Sequence, residues 1–201
     1  PVVRTIHVIA DTTSPSTPVP TVVQTGSSTA TLTWTVSTDD VGVVSYLYGF
    51  STSSDTLPTT LVSGTTTSVD VTLEDGIWFA SVQAVDAAGN VSLVGTTTSL
   101  VVDTTRPVIT LNGTSTITLY LHDSYTEQGA TAFDDIYGDI TSSIQMLGSV
   151  DTDTLGDYTI TYVVTDASGN IANPVVRTIH VIADTTSPTT PVPTVVQTGS
   201  S

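Results

Sequence analysis

From residue 29 to residue 36 the chain alternates strictly. Ala30, Leu32, Trp34 and Val36 are apolar, while Thr29, Thr31, Thr33 and Thr35 are polar. A period of two is that of a strand with one face on a core and the other in water. The apolar set is therefore expected inward. Trp78, Ala80, Val82 and Ala84 repeat the pattern, as do Tyr158, Ile160, Tyr162 and Val164 set against Thr159, Thr161 and Thr165. Val108 and Thr110 open a further strand, expected to continue through Ile117, Leu119 and Leu121, and Val175 to Ile182 form the last one. No segment holds a helical apolar period over the roughly 10 residues a helix needs. Abundant Thr, Val, Ile and Tyr favour strands, and Gly42, Gly64, Gly76 and Gly89 punctuate at sandwich-like intervals. The pattern predicts an all-β chain of antiparallel β-sandwiches, each of seven or eight strands, with no helix longer than two turns between residues 12 and 184.

The alternation is itself repeated. Residues 1–28 recur as residues 174–201 with a single change, Ser16 against Thr189, so the period is 173 residues. Identity this close across loop sequence points to a tandem array with recently copied units. Asp-Thr-Thr stands at 11–13, 103–105 and 184–186, each time with Pro close behind. Pro fixes φ and removes a donor, so these tripeptides read as short, stiff junctions. They divide the chain into residues 1–11, the last strand of a preceding module; 12–103, one sandwich; 104–184, a second; and 185–201, the start of the next. Each full module is near the size of an immunoglobulin-like sandwich, and the array is expected to be extended. Residues 1–10 are expected to pair with another copy of the protein or to mark a cut through a continuing fibre.

Composition narrows the partners. Among 201 residues there are three Arg, no Lys and 19 Asp plus Glu, a formal charge of −16. Such a chain suits neither nucleic acid, whose phosphates need basic counter-charge, nor an anionic membrane surface. With 38% hydrophobic and only 11% charged residues, it is not a solvated disordered tail. No apolar run approaches the roughly 18 residues of a spanning helix, so no membrane insertion is expected in this segment. No signal peptide is visible, and any export signal is expected outside it. Absent Cys excludes disulfides and thiolate metal sites, and absent Lys excludes Lys–Asn isopeptide crosslinks.

The acids are not scattered. Each module carries three matching groups: a leading Asp-Thr-Thr, a middle Asp-Asp and a late Asp-Ala-x-Gly-Asn. In residues 12–103 and just before them these are Asp11, then Asp39 and Asp40, then Asp86 and Asn90. In the next module they are Asp103, then Asp134, Asp135 and Asp139, then Asp166 and Asn170. The strand order gathers each trio at one pole of its sandwich, at the junction with the preceding module. Converging carboxylates repel unless a cation lies among them, and Ca²⁺ takes six to eight oxygens of these kinds. Structural Ca²⁺ is therefore the one expected cofactor, against the alternative that Asp and Asn are ordinary turn formers.

Catalysis is not expected. His7 and His180 share one repeat position, which leaves His122, and no nucleophile motif accompanies any of them. Glu74 and Glu127 are the only glutamates, one per module, which disfavours a paired-carboxylate hydrolase. Trp34 and Trp78 read as core by parity. Tyr46, Tyr48, Phe50 and Phe79 remain as conceivable exposed stacking groups for sugar.

Several of these segments carry a family resemblance. Trp34 on an early strand, STDDVGV at 37–43 and AVDAAGNVS at 84–92 make the first module resemble bacterial fibronectin type III domains. RPVITLNG at 106–113, YTEQGATAFDD at 125–135, GDIT at 138–141 and YTITYVVTDASGN at 158–170 make the second resemble the hyalin-repeat-like immunoglobulin modules of bacterial surface proteins. The resemblance implies non-catalytic stalks, adhesins and spacers outside the cell. The expected function is a stalk or fibre segment of a secreted tandem-repeat surface protein, touching neighbouring modules of its own chain. Lateral assembly with other copies into a filament or sheath, or a spacer role in a secreted polysaccharide-degrading enzyme, are the alternatives.

Overall fold

A computed structural model describes residue 4 and residues 9–187. The terminal strand expected to pair outside this chain therefore falls, for its greater part, outside the described residues. The described residues form two compact units: those up to 107 with 134–138 and 165–170, and 108–133 with 139–164 and those from 171 on.

In the first unit, β1 (Pro20–Gln24), β2 (Thr29–Trp34) and β5 (Ser68–Thr72) form one sheet in the order β1-β2-β5. The other sheet runs β4-β3-β6-β7 and comprises β3 (Val43–Ser51), β4 (Thr60–Ser63), β6 (Gly76–Asp86) and β7 (Gly95–Thr96), with β8 (Leu100–Val102) also paired to β6. All pairings are antiparallel. Leu32 and Trp34 from one sheet meet Tyr46, Ala80, Val82 and Ala84 from the other, which makes the sandwich core. Parity thus sends Ala30, Leu32 and Trp34 inward as expected. Val36 breaks the pattern and is 71% exposed. The strand ends at Trp34, and the buried Ser37 amide then donates to the Tyr46 hydroxyl at 2.8 Å, so the alternation loses its phase one residue before Val36.

That contact also settles the aromatics. Tyr46 is fully buried, with its ring edge-on to Trp34 at 5.6 Å, and Tyr48 stacks on Trp34 at 6.4 Å. Tyr48 and Phe50 pack against the core, and Phe79 is half-buried. Tyr46 is thus no sugar platform but part of the core. Trp78, read as core, is only half-buried, and its indole donates to the Glu74 carbonyl at 2.9 Å.

The second sandwich uses β9 (Val108–Leu111), β10 (Thr116–Tyr120), β11 (Ala130–Asp134), β12 (Gly138–Asp139), β13 (Gln145–Leu147), β14 (Gly156–Val163) and β15 (Val175–Ile182). The sheets run β12-β11-β9 and β10-β15-β14-β13. Ile109, Ala130 and Ala132 from one meet Ile160, Tyr162, Ile179 and Val181 from the other. The only helical element among the described residues is a 3₁₀ turn at Thr141–Ser143. Two expectations need correction. Ile117 and Leu119 do not continue β9; they lie on β10, in the other sheet, and Leu121 follows just beyond its end. In addition, β10 pairs with β15 in parallel, with Ile117 opposite Ile179. The cause is local: Gly113 takes a φ of 84°, a left-handed turn that suits glycine, and it carries the chain from one sheet to the other.

One polar side chain sits deep in this sandwich. Arg177 occupies an inward position of β15, in phase with Ile179 and Val181, and is fully buried. Its Nε donates to the Thr114 carbonyl at 3.0 Å, its Nη2 to the Asn112 carbonyl at 2.5 Å and its Nη1 to Glu127 Oε1. Glu127 Oε1 also accepts the Gly129 amide at 2.9 Å, and Oε2 accepts the Tyr125 hydroxyl. The segment from Asn112 to Gly129 is thereby tied to β15.

Candidate functional site

The acidic groups are built from turns. After β8, Asp103 Oδ1 accepts the Thr105 amide and hydroxyl, both at 3.0 Å. At the end of β11, Asp134 Oδ1 accepts the amides of Ile136 and Tyr137, both at 3.0 Å. Beyond β14, Asp166 Oδ1 accepts the Asn170 amide at 2.8 Å, and its Oδ2 accepts the Asn170 side-chain amide at 2.9 Å. That same side chain donates to the Asp103 carbonyl at 3.3 Å, and Thr105 Oγ1 reaches Asp135 Oδ1. One carboxylate oxygen from each of Asp103, Asp134 and Asp166 lies within 4.8 Å of the others, and all three residues are buried. These three expected residues come together, with Asp135 and Asn170 held beside them.

Asn170 offers its amide nitrogen rather than its oxygen to this group, so it positions Asp166 and the Asp103 backbone. Asp139 stands apart. Gly138, with a φ of 70°, turns the chain into β12, where the Asp139 carboxylate accepts the Thr141 amide at 2.9 Å. Thr105 was missed in the sequence, although the third residue of Asp-Thr-Thr is the one that locks the aspartate. The same bonds recur at Asp184 and Thr186.

The first module repeats the scheme with less burial. Thr13 bonds Asp11 Oδ1 at 2.7 Å and Asp40 Oδ1 at 2.6 Å, and Asp39 Oδ1 accepts the Val41 and Gly42 amides. Asp11, Asp39 and Asp40 form a three-carboxylate group, half-buried to exposed. Asp86 lies outside that group. Its Oδ1 accepts the Ala88 and Asn90 amides and its Oδ2 the Asn90 side chain, which also reaches Asp11.

These bonds set the charge states. Burial pushes the Asp86 carboxyl up, but the donated bonds from Asn90, Ala88 and Gly89 outweigh it and hold the group below the ordinary aspartate value. Thr141 does the same for Asp139, and Thr186 for Asp184. A depressed folded value means that the unfolded chain binds more protons in acid. The stabilisation is then complete above the ordinary value near 4 and is lost as pH falls through the folded one. The melting temperature should hold from pH 7 to about 5 and fall below about 4. In Asp86→Asn that acid decline should be shallower, and an equally steep decline would remove Asp86 from the account.

The remaining titratable groups carry no comparable convergence. His180 Nδ1 faces Asp157 Oδ1 at 2.5 Å and His122 Nδ1 faces Asp153 Oδ1 at 2.8 Å, both near the surface. No helix among the described residues is long and apolar enough to cross a membrane.

Over 200 residues the chain is 32% identical to chitinase A1 of Niallia circulans, an alignment that covers 89% of this chain and 27% of that protein. The chain thus spans about a quarter of the length of that relative. Among solved structures, the lipoprotein BT2262 of Bacteroides thetaiotaomicron is similar at 31% identity over 40% of each chain, with a TM-score of 0.36. The fibronectin(III)-like modules of Clostridium thermocellum CbhA align at 14% identity over 86% of this chain and 99% of theirs, with a TM-score of 0.34. Residues 109–181 match the family described as bacterial surface protein, Ig-like domain. The second sandwich is accordingly a bacterial immunoglobulin-like module, similar to those of surface proteins.

Proposed function

We propose that the 173-residue unit is a non-catalytic structural spacer in a secreted bacterial surface protein, holding a functional domain away from its anchor. The observation that carries this reading is the near-identical recurrence of residues 1–28 at 174–201, across a junction that leads out of an immunoglobulin-like module of surface-protein type. Copying whole modules changes length and leaves chemistry alone, which is what a spacer needs. The strongly negative, lysine-free surface keeps near-identical neighbours from associating while they fold.

A second reading places the same spacer inside a secreted polysaccharide-degrading enzyme. The 32% identity with part of a chitinase favours it. Both readings make the unit itself inert toward polysaccharide. The purified chain is expected neither to be retained on insoluble chitin nor to release sugar from it. Retention in a pull-down at micromolar protein would overturn the spacer role in favour of a carbohydrate-binding one.

A further inference from the structure

We propose that Asp103, Asp134 and Asp166 bind one Ca²⁺ ion, and that this site belongs to the junction leading into the second sandwich and not to the similar acidic loops of the first. Turn formation accounts for four of the six carboxylate oxygens, both of those on Asp166 among them, and leaves one on Asp103 and one on Asp134. In an ordinary aspartate turn one carboxylate oxygen takes the backbone amide and the other faces water. Here Asp103 is 4%, Asp134 1% and Asp166 8% exposed. The Oδ2 atoms of Asp103 and Asp134 are enclosed, and neither finds a hydrogen-bond partner among the described residues.

Two enclosed, unpartnered anionic oxygens beside a third buried carboxylate are unfavourable twice over, through lost hydration and through mutual repulsion. A cation removes both penalties. The three oxygens lie within 4.8 Å of one another, close enough for a single ion to bridge, and a set of carboxylate oxygens in turns of irregular geometry suits Ca²⁺. The shorter bonds of Mg²⁺, about 2.0–2.1 Å, demand a tighter cage, and an all-oxygen set without His or Cys does not suit Zn²⁺. Waters complete the shell. Thr105 fixes Asp103 Oδ1 and the Ile136 and Tyr137 amides fix Asp134 Oδ1, so that the enclosed pair stays aimed at the ion, while Asn170 positions Asp166. In the first module the group of Asp11, Asp39 and Asp40 is half-buried to exposed, and none of its oxygens is among the enclosed, unpartnered atoms of the described residues. That group lacks the enclosed oxygens, and we assign it no ion.

The test is thermal unfolding of the full 201-residue chain in 10 mM CaCl₂, in 10 mM MgCl₂ and in EDTA, with amide NMR spectra of the same samples. For an extracellular-type site with Kd of about 10⁻⁴–10⁻³ M, calcium should raise the folded-to-unfolded ratio of the module roughly 10- to 100-fold. Magnesium should do markedly less. The amides of Thr105, Ile136, Tyr137 and Asn170 should shift. Asp134→Asn keeps the side-chain shape and one acceptor oxygen. It should lose the calcium response while being no less stable than the parent in EDTA, whereas Asp40→Asn should respond as the parent does. Asp103→Asn gives the same reading if Asp134→Asn fails to fold. Identical melting of the parent chain in calcium and EDTA overturns the proposal. So does a calcium shift that survives in both Asp134→Asn and Asp103→Asn, and so does calcium-independent stability that rises on acidification, because a shared proton then does the work of the ion.

Discussion

Glu127→Ala should unfold the second sandwich or leave it barely folded, with a loss of about 3–5 kcal/mol. The reason is the partner left behind. Arg177 is fully buried and its guanidinium is a cation that must be paired there. Its fork is satisfied by Glu127 and by the carbonyls of Thr114 and Asn112. Truncating Glu127 also strips an acceptor from the Gly129 amide and the Tyr125 hydroxyl, so the connection between β9 and β11 loses its anchor as the guanidinium loses its counter-ion. Against a domain stability of 5–15 kcal/mol, that is a large share. The paired replacement Arg177→Met with Glu127→Leu should recover most of the loss, because exchanging a whole buried ion pair for apolar groups of similar volume is often neutral or better. Urea unfolding of the three variants decides it. If Glu127→Ala stays within about 1 kcal/mol of the parent, the pair is not the tie described here.

Leu32→Ala should destabilise the first sandwich by about 2–5 kcal/mol, the range for a buried leucine whose cavity only partly collapses. Leu32 has no exposed surface. It sits on the middle strand of its sheet, opposite Val22 on β1 and Val69 on β5, and packs into the cluster of Trp34, Tyr46 and Val82. For a domain of this size each kcal/mol lowers the melting temperature by about 4–8 °C, so the shift should exceed 8 °C. Val36→Ala is the informative companion. Strict alternation puts Val36 on the same inward face, whereas the structure leaves it 71% exposed. Its truncation should change stability by no more than about 0.5 kcal/mol. Calorimetry on the two variants separates the pattern from the fold: a Val36→Ala effect as large as that of Leu32→Ala would mean that β2 runs on past Trp34.

The contrast between those two residues shows what the sequence could and could not convey. Period two is a property of one strand, so Ala30, Leu32 and Trp34, and likewise Ile160, Tyr162 and Val164, were readable as inward faces. Where a strand stops is decided by a contact from elsewhere, here the bond from the Ser37 amide to Tyr46, and alternation carries no record of it. Pairing is equally silent: Ile117 and Leu119 have the right parity on either sheet, and only the turn at Gly113 sends them to lie parallel to β15. Arg177 was in plain view, two residues before Ile179 and four before Val181, on the inward phase. Its charge hid it, although two of the three arginines, Arg4 and Arg177, fall at the same repeat position.

The acidic loops divide in the same way. The parallel placement of Asp-Thr-Thr, Asp-Asp and Asp-Ala-x-Gly-Asn in two different modules marked the residues that meet. Asp139, five residues beyond Asp134, looked equivalent to Asp135 but is carried off by the turn into β12. The difference between the two groups, one buried and one half-open, is a matter of packing around them and leaves no trace in spacing. The threonine that locks each leading aspartate looked like ordinary strand-rich composition.

The central claim, that the period is a length-setting structural unit, is most directly tested by small-angle scattering on arrays of one, two and three 173-residue periods. A sandwich whose longest strand, β6, has 11 residues is about 36 Å long at about 3.3 Å per residue. The proposed spacer role requires such sandwiches to stand end to end, so on that proposal each added period of two should lengthen the particle by roughly 70 Å, in proportion to copy number. Growth with only the square root of copy number, as for modules on flexible linkers, would contradict the account.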